Sequence, residues 1–144
     1  MTKKEFVSMS LPYGLKVLIP ESDNKYCRKT VIGTVGAVYS DGSITCNDTV
    51  NACPRWYKPI LYPMSDLKNA IKRDGKRFIP ICRIYNMSGH YEIGEKWFKN
   101  NNIVCLPSFI MTELIKWHFD VAGLIEKGKA IDVNSLEFNP YKKK

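Results

Sequence analysis

The chain has 144 residues, of which 44% are hydrophobic and 25% are charged, and its net charge is +8. This composition is ordinary for a globular protein and excludes intrinsic disorder over most of the length. No apolar run approaches the roughly 18 residues of a membrane span, and the start of the chain lacks the apolar segment of a secretory signal. We therefore expect a cytoplasmic protein with no membrane partner, with residues 1–141 as one domain and residues 142–144 as a basic tail.

Local signals predict a helix and a strand at the start of the chain. Thr2 followed by Glu5 fits a capping box, so a helix should run to about Ser10. Proline and glycine in residues 11–14 predict a turn, and the apolar residues of 15–19 predict a strand after it.

The next segment has the pattern of a β-hairpin. Residues 28–39 are rich in Val, Ile and Thr, which predicts a strand, and Gly33 and Gly36 within it indicate a bulge or a close backbone approach. Asp41 and Gly42 form a two-residue hairpin signal, so residues 43–46 should be the returning strand.

The middle of the chain reads as alternating strands and helices. Residues 56–62 predict a strand, and Ser65 is a natural N-cap for a helix over residues 66–73. Residues 77–85 have strand character, and the polar residues 86–102 predict a long loop.

The last third contains the clearest helical pattern. Apolar residues over 109–118 recur at helical spacing, and a second short helix is predicted over residues 121–127. A closing strand is predicted at residues 130–132. The whole pattern favours a single α+β domain, with three to four short helices packed on a small antiparallel or mixed sheet.

No catalytic or metal-binding constellation is apparent. The five cysteines contain no CxxC pair, and the phosphate-cradling glycine motifs are absent, so we expect no metal and no cofactor. The two histidines are His90 and His118, of which His118 can pair with Asp120, or with a carboxylate elsewhere in the chain, as an acid/base centre. The structural alternative is a buried histidine that caps a helix end or makes one hydrogen bond.

Basic residues interleaved with aromatic ones are the main functional signal. Residues 51–104 carry ten Lys or Arg against four Asp or Glu, and so supply most of the net charge. Arginine forks bind phosphate and aromatic faces stack on bases, whereas the alternative interpretation is a solvated basic surface. The candidate ligand-binding residues are Arg55, Trp56, Lys58, Tyr62, Lys76, Arg77, Arg83, Tyr85 and His118.

Four segments carry a resemblance to a known family. They are residues 10–16 (SLPYGLK), 59–67 (PILYPMSDL), 78–80 (FIP) and 117–128 (WHFDVAGLIEKG). In these the chain resembles a family of short proteins carried by phages and prophages of Bacteroidales. The resemblance implies an accessory phage protein that acts in the bacterial host cytoplasm, and it implies no particular activity.

The residues therefore favour binding over catalysis. We expect a non-enzymatic protein that binds an anionic nucleotide, such as a host immune signalling nucleotide that it would sequester. One alternative is a DNA- or RNA-binding factor, and another is an adaptor that inhibits a host protein. A homo-oligomer is compatible with each of these.

Overall fold

The described part of the chain, in which helices pack on a mixed β-sheet, has the predicted α+β class. The computed structural model describes residues 1–19, 31–47, 57–73, 76–88 and 108–142. The strands are β1 (Lys16–Ile19), β2 (Val31–Val38), β3 (Ile44–Cys46), β4 (Lys58–Leu61), β5 (Ile71–Arg73), β6 (Lys76–Phe78) and β7 (Ile131–Asp132). The α-helices in these residues are α1 (Lys3–Ser10), α2 (Pro80–Ser88) and α3 (Ser108–Lys116).

Helix α1 begins as its sequence predicts. The Glu5 amide donates to the Thr2 hydroxyl oxygen over 3.1 Å, which satisfies one of the free donors at the helix start. Phe6 and Val7 are fully buried, so this short helix is held by its apolar face.

Within the described residues, the larger sheet has five strands in the order β3-β2-β1-β4-β7. All its pairs are antiparallel except β4 with β7, so the sheet is mixed. The predicted β2–β3 hairpin is confirmed, and its register shifts between Val35 and Ala37. Gly36 lies at this bulge, where a Cβ atom would collide with the Asn47 side chain.

The predicted helix over residues 66–73 is wrong. A 3-10 helix at Met64–Lys68 ends where Asn69 becomes extended, and β5 follows it. Ile71 pairs with Phe78 across the two-stranded β5–β6 sheet, and Ile71 is buried. The burial gained by this cross-strand pair outweighs the local helical spacing.

The predicted strand over residues 77–85 is also wrong beyond Phe78. Pro80 opens α2 at the first helical position, where its fixed φ and missing N–H are both tolerated. The Ile79 carbonyl accepts from the Arg83 amide over 3.2 Å, and Ile84 is fully buried. Of the predicted loop at 86–102, only residues 86–88 are described, and they end α2.

Three further predictions concern the last third of the chain. The helix predicted over residues 109–118 is confirmed as α3, and the predicted closing strand is β7. Residues 121–127 form turns rather than a helix. The buried Asp120 carboxylate accepts from the Leu124 amide over 2.7 Å and the Ile125 amide over 2.9 Å, which stabilises this turn instead.

The large sheet separates two groups of core residues. On one face, Phe6 and Val7 of α1 pack with Val17 and Ile19 of β1. The other group comes mainly from α2, α3, the β5–β6 sheet and neighbouring segments. Its buried members are Ile60, Tyr62, Leu67, Ile71, Ile84, Ile110, Leu114, Trp117, Phe119 and Val133. This second group supports the candidate site. None of the helices in the described ranges is long and apolar enough to cross a membrane.

Candidate functional site

A cavity of about 230 Å³ lies between the β5–β6 sheet, α2 and the end of α3. Four of its lining side chains are cations and one is a carboxylate, so its potential is positive. We call this cavity the basic pocket; its lining residues are Arg73, Lys76, Arg83, Glu113, Lys116 and Trp117.

The register of the β5–β6 sheet decides which cations line the basic pocket. Arg73 lies opposite Lys76, and Lys72 lies opposite Arg77. Because side chains alternate between the faces of a strand, the first pair shares the inner face with buried Ile71. Lys72 and Arg77 are exposed on the outer face.

Arg73 is held by two acceptors. Its Nη2 donates to the Tyr13 carbonyl over 2.7 Å, and its Nη1 donates to His118 Nε2 over 2.7 Å. Both arms of the guanidinium are thereby fixed at the wall of the basic pocket.

His118 lies behind Arg73 and is almost completely buried, with 1% of its side chain exposed. Burial, reinforced by the Arg73 charge and opposed by the Tyr13 carbonyl, lowers the pKa of His118 to about 3. Its ring stacks on Tyr141, with ring centroids 4.3 Å apart. His118 is therefore neutral at pH 7, and its acceptor nitrogen is occupied by Arg73.

Aromatic rings line the same side of the molecule as these cations. The Arg83 guanidinium lies 3.8 Å from the centroid of the Phe78 ring, and the Phe78 and Trp117 rings are 5.1 Å apart. A cation over an aromatic face is a stable arrangement that still leaves the guanidinium N–H groups at the ring edge available. The aromatic residue in the lining of the basic pocket is Trp117, and the Phe78 ring lies beside it under Arg83.

The charge of the basic pocket is not neutralised by the described residues. Glu113 also lines the cavity, but none of the four cations forms an ion pair with a carboxylate of the described ranges. Arg73 and Lys76 face each other directly, and like charges opposite one another destabilise a sheet. An anion in the cavity would relieve this repulsion.

The structure brings together only some of the predicted ligand-binding residues. Lys76 and Arg83 line the basic pocket, whereas Arg77 is on the outer face of the hairpin. Arg55 and Trp56 lie outside the described residues, as does the side chain of Tyr85 within α2.

Tyr62 and Lys58 lie elsewhere. Tyr62 is buried, stacks on Phe119 and accepts a hydrogen bond from Asn139 over 3.0 Å. Burial raises the pKa of Tyr62, and the hydrogen bond from Asn139 lowers it in part. Asp120, the proposed acid/base partner of His118, bonds backbone amides instead.

Lys58 belongs to a second basic group, which we call the Lys3 cluster: Lys3, Lys58 and Lys129. Burial lowers the pKa of Lys3, and repulsion from Lys129 and Lys58 lowers it further. The Lys3 ammonium donates to the Tyr57 carbonyl over 2.9 Å and lies 4.3 Å from the centroid of the Tyr57 ring. This cluster is thus organised around a cation that is already bound by the protein.

Sequence reasoning missed four residues of the basic pocket: Arg73, Glu113, Lys116 and Trp117. For Arg73 a signal existed, because the dipeptide Asp74-Gly75 that follows it in the sequence is itself a hairpin signal. Lys116 and Trp117 had no signal of their own, since their approach to the hairpin depends on how α3 packs.

The described ranges contain no group of three or more His, Cys, Asp or Glu side chains that could hold a metal ion. Comparison of the chain with protein family models, with curated proteins and with solved structures finds no significant match. The phage family resemblance therefore stays a prediction, and the function must be argued from the basic pocket.

Proposed function

We propose that this protein binds a phosphate-bearing ligand of the nucleotide class in the basic pocket, without acting on it chemically. The observation that carries the proposal is the convergence of cations from three elements on one cavity beside aromatic rings. Guanidinium and ammonium groups bind phosphate oxygens, and aromatic faces suit a base. In the setting implied by the family resemblance, the ligand would be a nucleotide of the bacterial host.

The size of the cavity limits how much of a ligand it can enclose. Pockets that enclose a drug-sized ligand measure about 300–1,000 Å³, and the basic pocket is smaller, at about 230 Å³. It suits one phosphate group with an adjoining ring. The remainder of a larger nucleotide would lie outside it, near exposed Arg83.

Ligand binding is tested by thermal shift and isothermal titration calorimetry. The ligands are inorganic phosphate, pyrophosphate, the four ribonucleoside monophosphates and cyclic dinucleotides, with unphosphorylated nucleosides as controls. A ligand present at 100 times its Kd should stabilise the protein by about 2.7 kcal/mol. If no phosphate-bearing ligand raises Tm above the nucleoside controls, the proposal is wrong.

A pair of double variants separates the basic pocket from general surface charge. Lys76→Ser with Arg83→Ser removes two pocket cations, and Lys72→Ser with Arg77→Ser removes two from the outer face. Because each charge-assisted hydrogen bond is worth roughly 2 kcal/mol, we expect the pocket variant to bind at least about tenfold more weakly. The outer-face variant should retain wild-type affinity.

One observation favours a second candidate, a single-stranded nucleic acid. Lys72 and Arg77 place cations on the outer face of the same hairpin, where a longer phosphate backbone could follow both faces. This candidate predicts that both double variants weaken the binding of an oligonucleotide and that affinity falls steeply with salt. Salt-insensitive binding, or an outer-face variant that binds normally, would count against it.

A further inference from the structure

His118 occupies the position after α3 that helices most often give to glycine. The Phe119 amide donates to the Leu114 carbonyl over 2.9 Å, and the His118 amide donates to the Ile115 carbonyl over 3.0 Å. This pair of bonds is the Schellman motif, whose central residue takes a left-handed conformation. His118 has a φ of 67° and thus bears backbone strain that glycine would avoid.

The buried His118 imidazole is unfavourable for a second reason, which is the hydrogen bonding of its ring. Since a guanidinium only donates, His118 Nε2 must be the acceptor for Arg73, and the neutral ring carries its proton on Nδ1. Within the described residues, Nδ1 has no hydrogen-bond partner although it is buried. An unsatisfied buried donor is unfavourable, so packing alone does not account for a histidine here.

What this histidine supplies is a neutral acceptor. A carboxylate could also hold Arg73, but it would cancel the positive charge and compete with an anion for the same donors. A neutral imidazole accepts one N–H and leaves the full charge of the guanidinium in place.

We propose that His118 is a positioning residue, which fixes the Arg73 guanidinium at the wall of the basic pocket and leaves its charge for a bound phosphate. This inference rests on the proposed function, because it requires an anion in that pocket. The Tyr13 carbonyl holds the other arm of the guanidinium, so the plane of the fork is set before a ligand arrives.

The fixed orientation of the Arg73 guanidinium also indicates which chemical group of the ligand it would bind. Described residues of the protein use two of the five N–H groups of Arg73 and leave three. A planar fork of fixed direction matches two oxygens of one phosphoryl group, which a lysine ammonium cannot imitate. The ligand should therefore present a terminal phosphate with free oxygens.

The first test needs no ligand. In ¹⁵N NMR spectra of the wild-type protein, His118 should be the Nδ1–H tautomer, and restricted rotation should give separate Nη–H signals for Arg73. In His118→Gly, which suits the left-handed backbone, these signals should merge, and added imidazole should separate them again. Merged Arg73 signals in the wild-type protein, or separate signals in His118→Gly, would overturn the inference.

The second test measures pyrophosphate affinity by calorimetry. We expect His118→Gly to bind pyrophosphate about tenfold more weakly, because Arg73 must then be ordered by the ligand, and we expect imidazole to restore the affinity. His118→Asn tolerates the same backbone and offers a side-chain oxygen, so it should lose less than His118→Gly. A purely structural role would change stability without rescue by imidazole.

The outcomes separate the two proposals. If pyrophosphate and the nucleotides fail to bind the wild-type protein, the proposed function is wrong, while the NMR signals still decide whether His118 fixes Arg73. If they bind but His118→Gly binds equally well, the proposed function stands and the positioning role is wrong. If His118→Gly fails to fold, the Arg73 signals of the wild-type protein and the pyrophosphate affinity of His118→Asn still decide whether His118 fixes Arg73.

Discussion

The basic pocket and the Lys3 cluster differ in what satisfies their positive charge. In the Lys3 cluster, the central ammonium donates to the Tyr57 carbonyl and lies on the Tyr57 ring. In the basic pocket, the two acceptors of Arg73 among the described residues are both neutral, and Lys76, Arg83 and Lys116 form no ion pair with a described carboxylate.

Basic composition alone therefore does not locate a binding site. The Lys3 ammonium, held by a backbone carbonyl and an aromatic ring, stabilises the fold, whereas the pocket cations make similar contacts but border a cavity that a ligand can enter. The two groups should therefore respond differently to pH, to charge reversal and to loss of their aromatic rings.

The largest expected effect is acid destabilisation through His118. The unfolded state takes up a proton near pH 6.5, whereas the folded state resists it until about pH 3. Acidification through that window therefore favours unfolding, by up to about 5 kcal/mol in total. Urea denaturation from pH 7 to pH 4 should show that His118→Asn loses less stability than the wild-type protein. Carboxylates common to both proteins cancel in the difference, so equal losses would contradict the prediction.

Charge reversal in the basic pocket should have the second-largest effect, in this case on ligand affinity. Lys76→Glu with Arg83→Glu should weaken pyrophosphate binding about 100-fold, since two charge-assisted contacts become repulsive. Lys58→Glu with Lys129→Glu changes the net charge equally in the Lys3 cluster and should leave the affinity within about threefold. Calorimetry at matched ionic strength measures both. Equal losses would mean that ligands respond to net charge rather than to the basic pocket.

Where local signals and packing agree, the fold could be predicted from the sequence. Thr2 with Glu5 located α1, and Asp41-Gly42 located the β2–β3 hairpin, because caps and tight turns are determined by adjacent residues. The segment from Ser65 to Tyr85 was predicted with its helix and strand exchanged. There the pairing of Ile71 with Phe78 and the role of Pro80 as a helix start overrode local propensity.

The same error limited prediction of the candidate site. Lys76 and Arg83 were recognised as basic residues near aromatic ones, but their convergence depends on the β5–β6 register and on α2 beginning at Pro80. The contact between Arg73 and His118 joins residues 45 positions apart. A single sequence carries no local signal for such a pair, although His118 was a candidate residue by itself.

The aromatic ring beside each basic group provides a further comparison, in which we expect a smaller effect. Phe78→Leu keeps an apolar side chain but removes the ring beneath Arg83, so pyrophosphate binding should weaken about fivefold, corresponding to roughly 1 kcal/mol. Tyr57→Leu removes the ring beneath Lys3 and should lower Tm without changing affinity. Thermal shift and calorimetry on both variants separate the two effects. A loss of affinity in Tyr57→Leu would show that the two basic groups are coupled.

The smallest expected effect is an alkaline one in the Lys3 cluster. Because the pKa of Lys3 is lowered from 10.5 in the folded state, the folded protein releases this proton before the unfolded chain does. Raising the pH toward 10.5 should therefore favour folding through Lys3, and Lys3→Met should remove this gain. The raised pKa of Tyr62 acts in the opposite direction, but it is common to both proteins and cancels in their difference. Urea denaturation at pH 8 to pH 10.5, with Lys4→Met as the matched control, measures the gain. If Lys3→Met and Lys4→Met follow the same alkaline profile, the Lys3 ammonium is solvated like an ordinary surface charge, and the contrast with the basic pocket rests on the cavity alone.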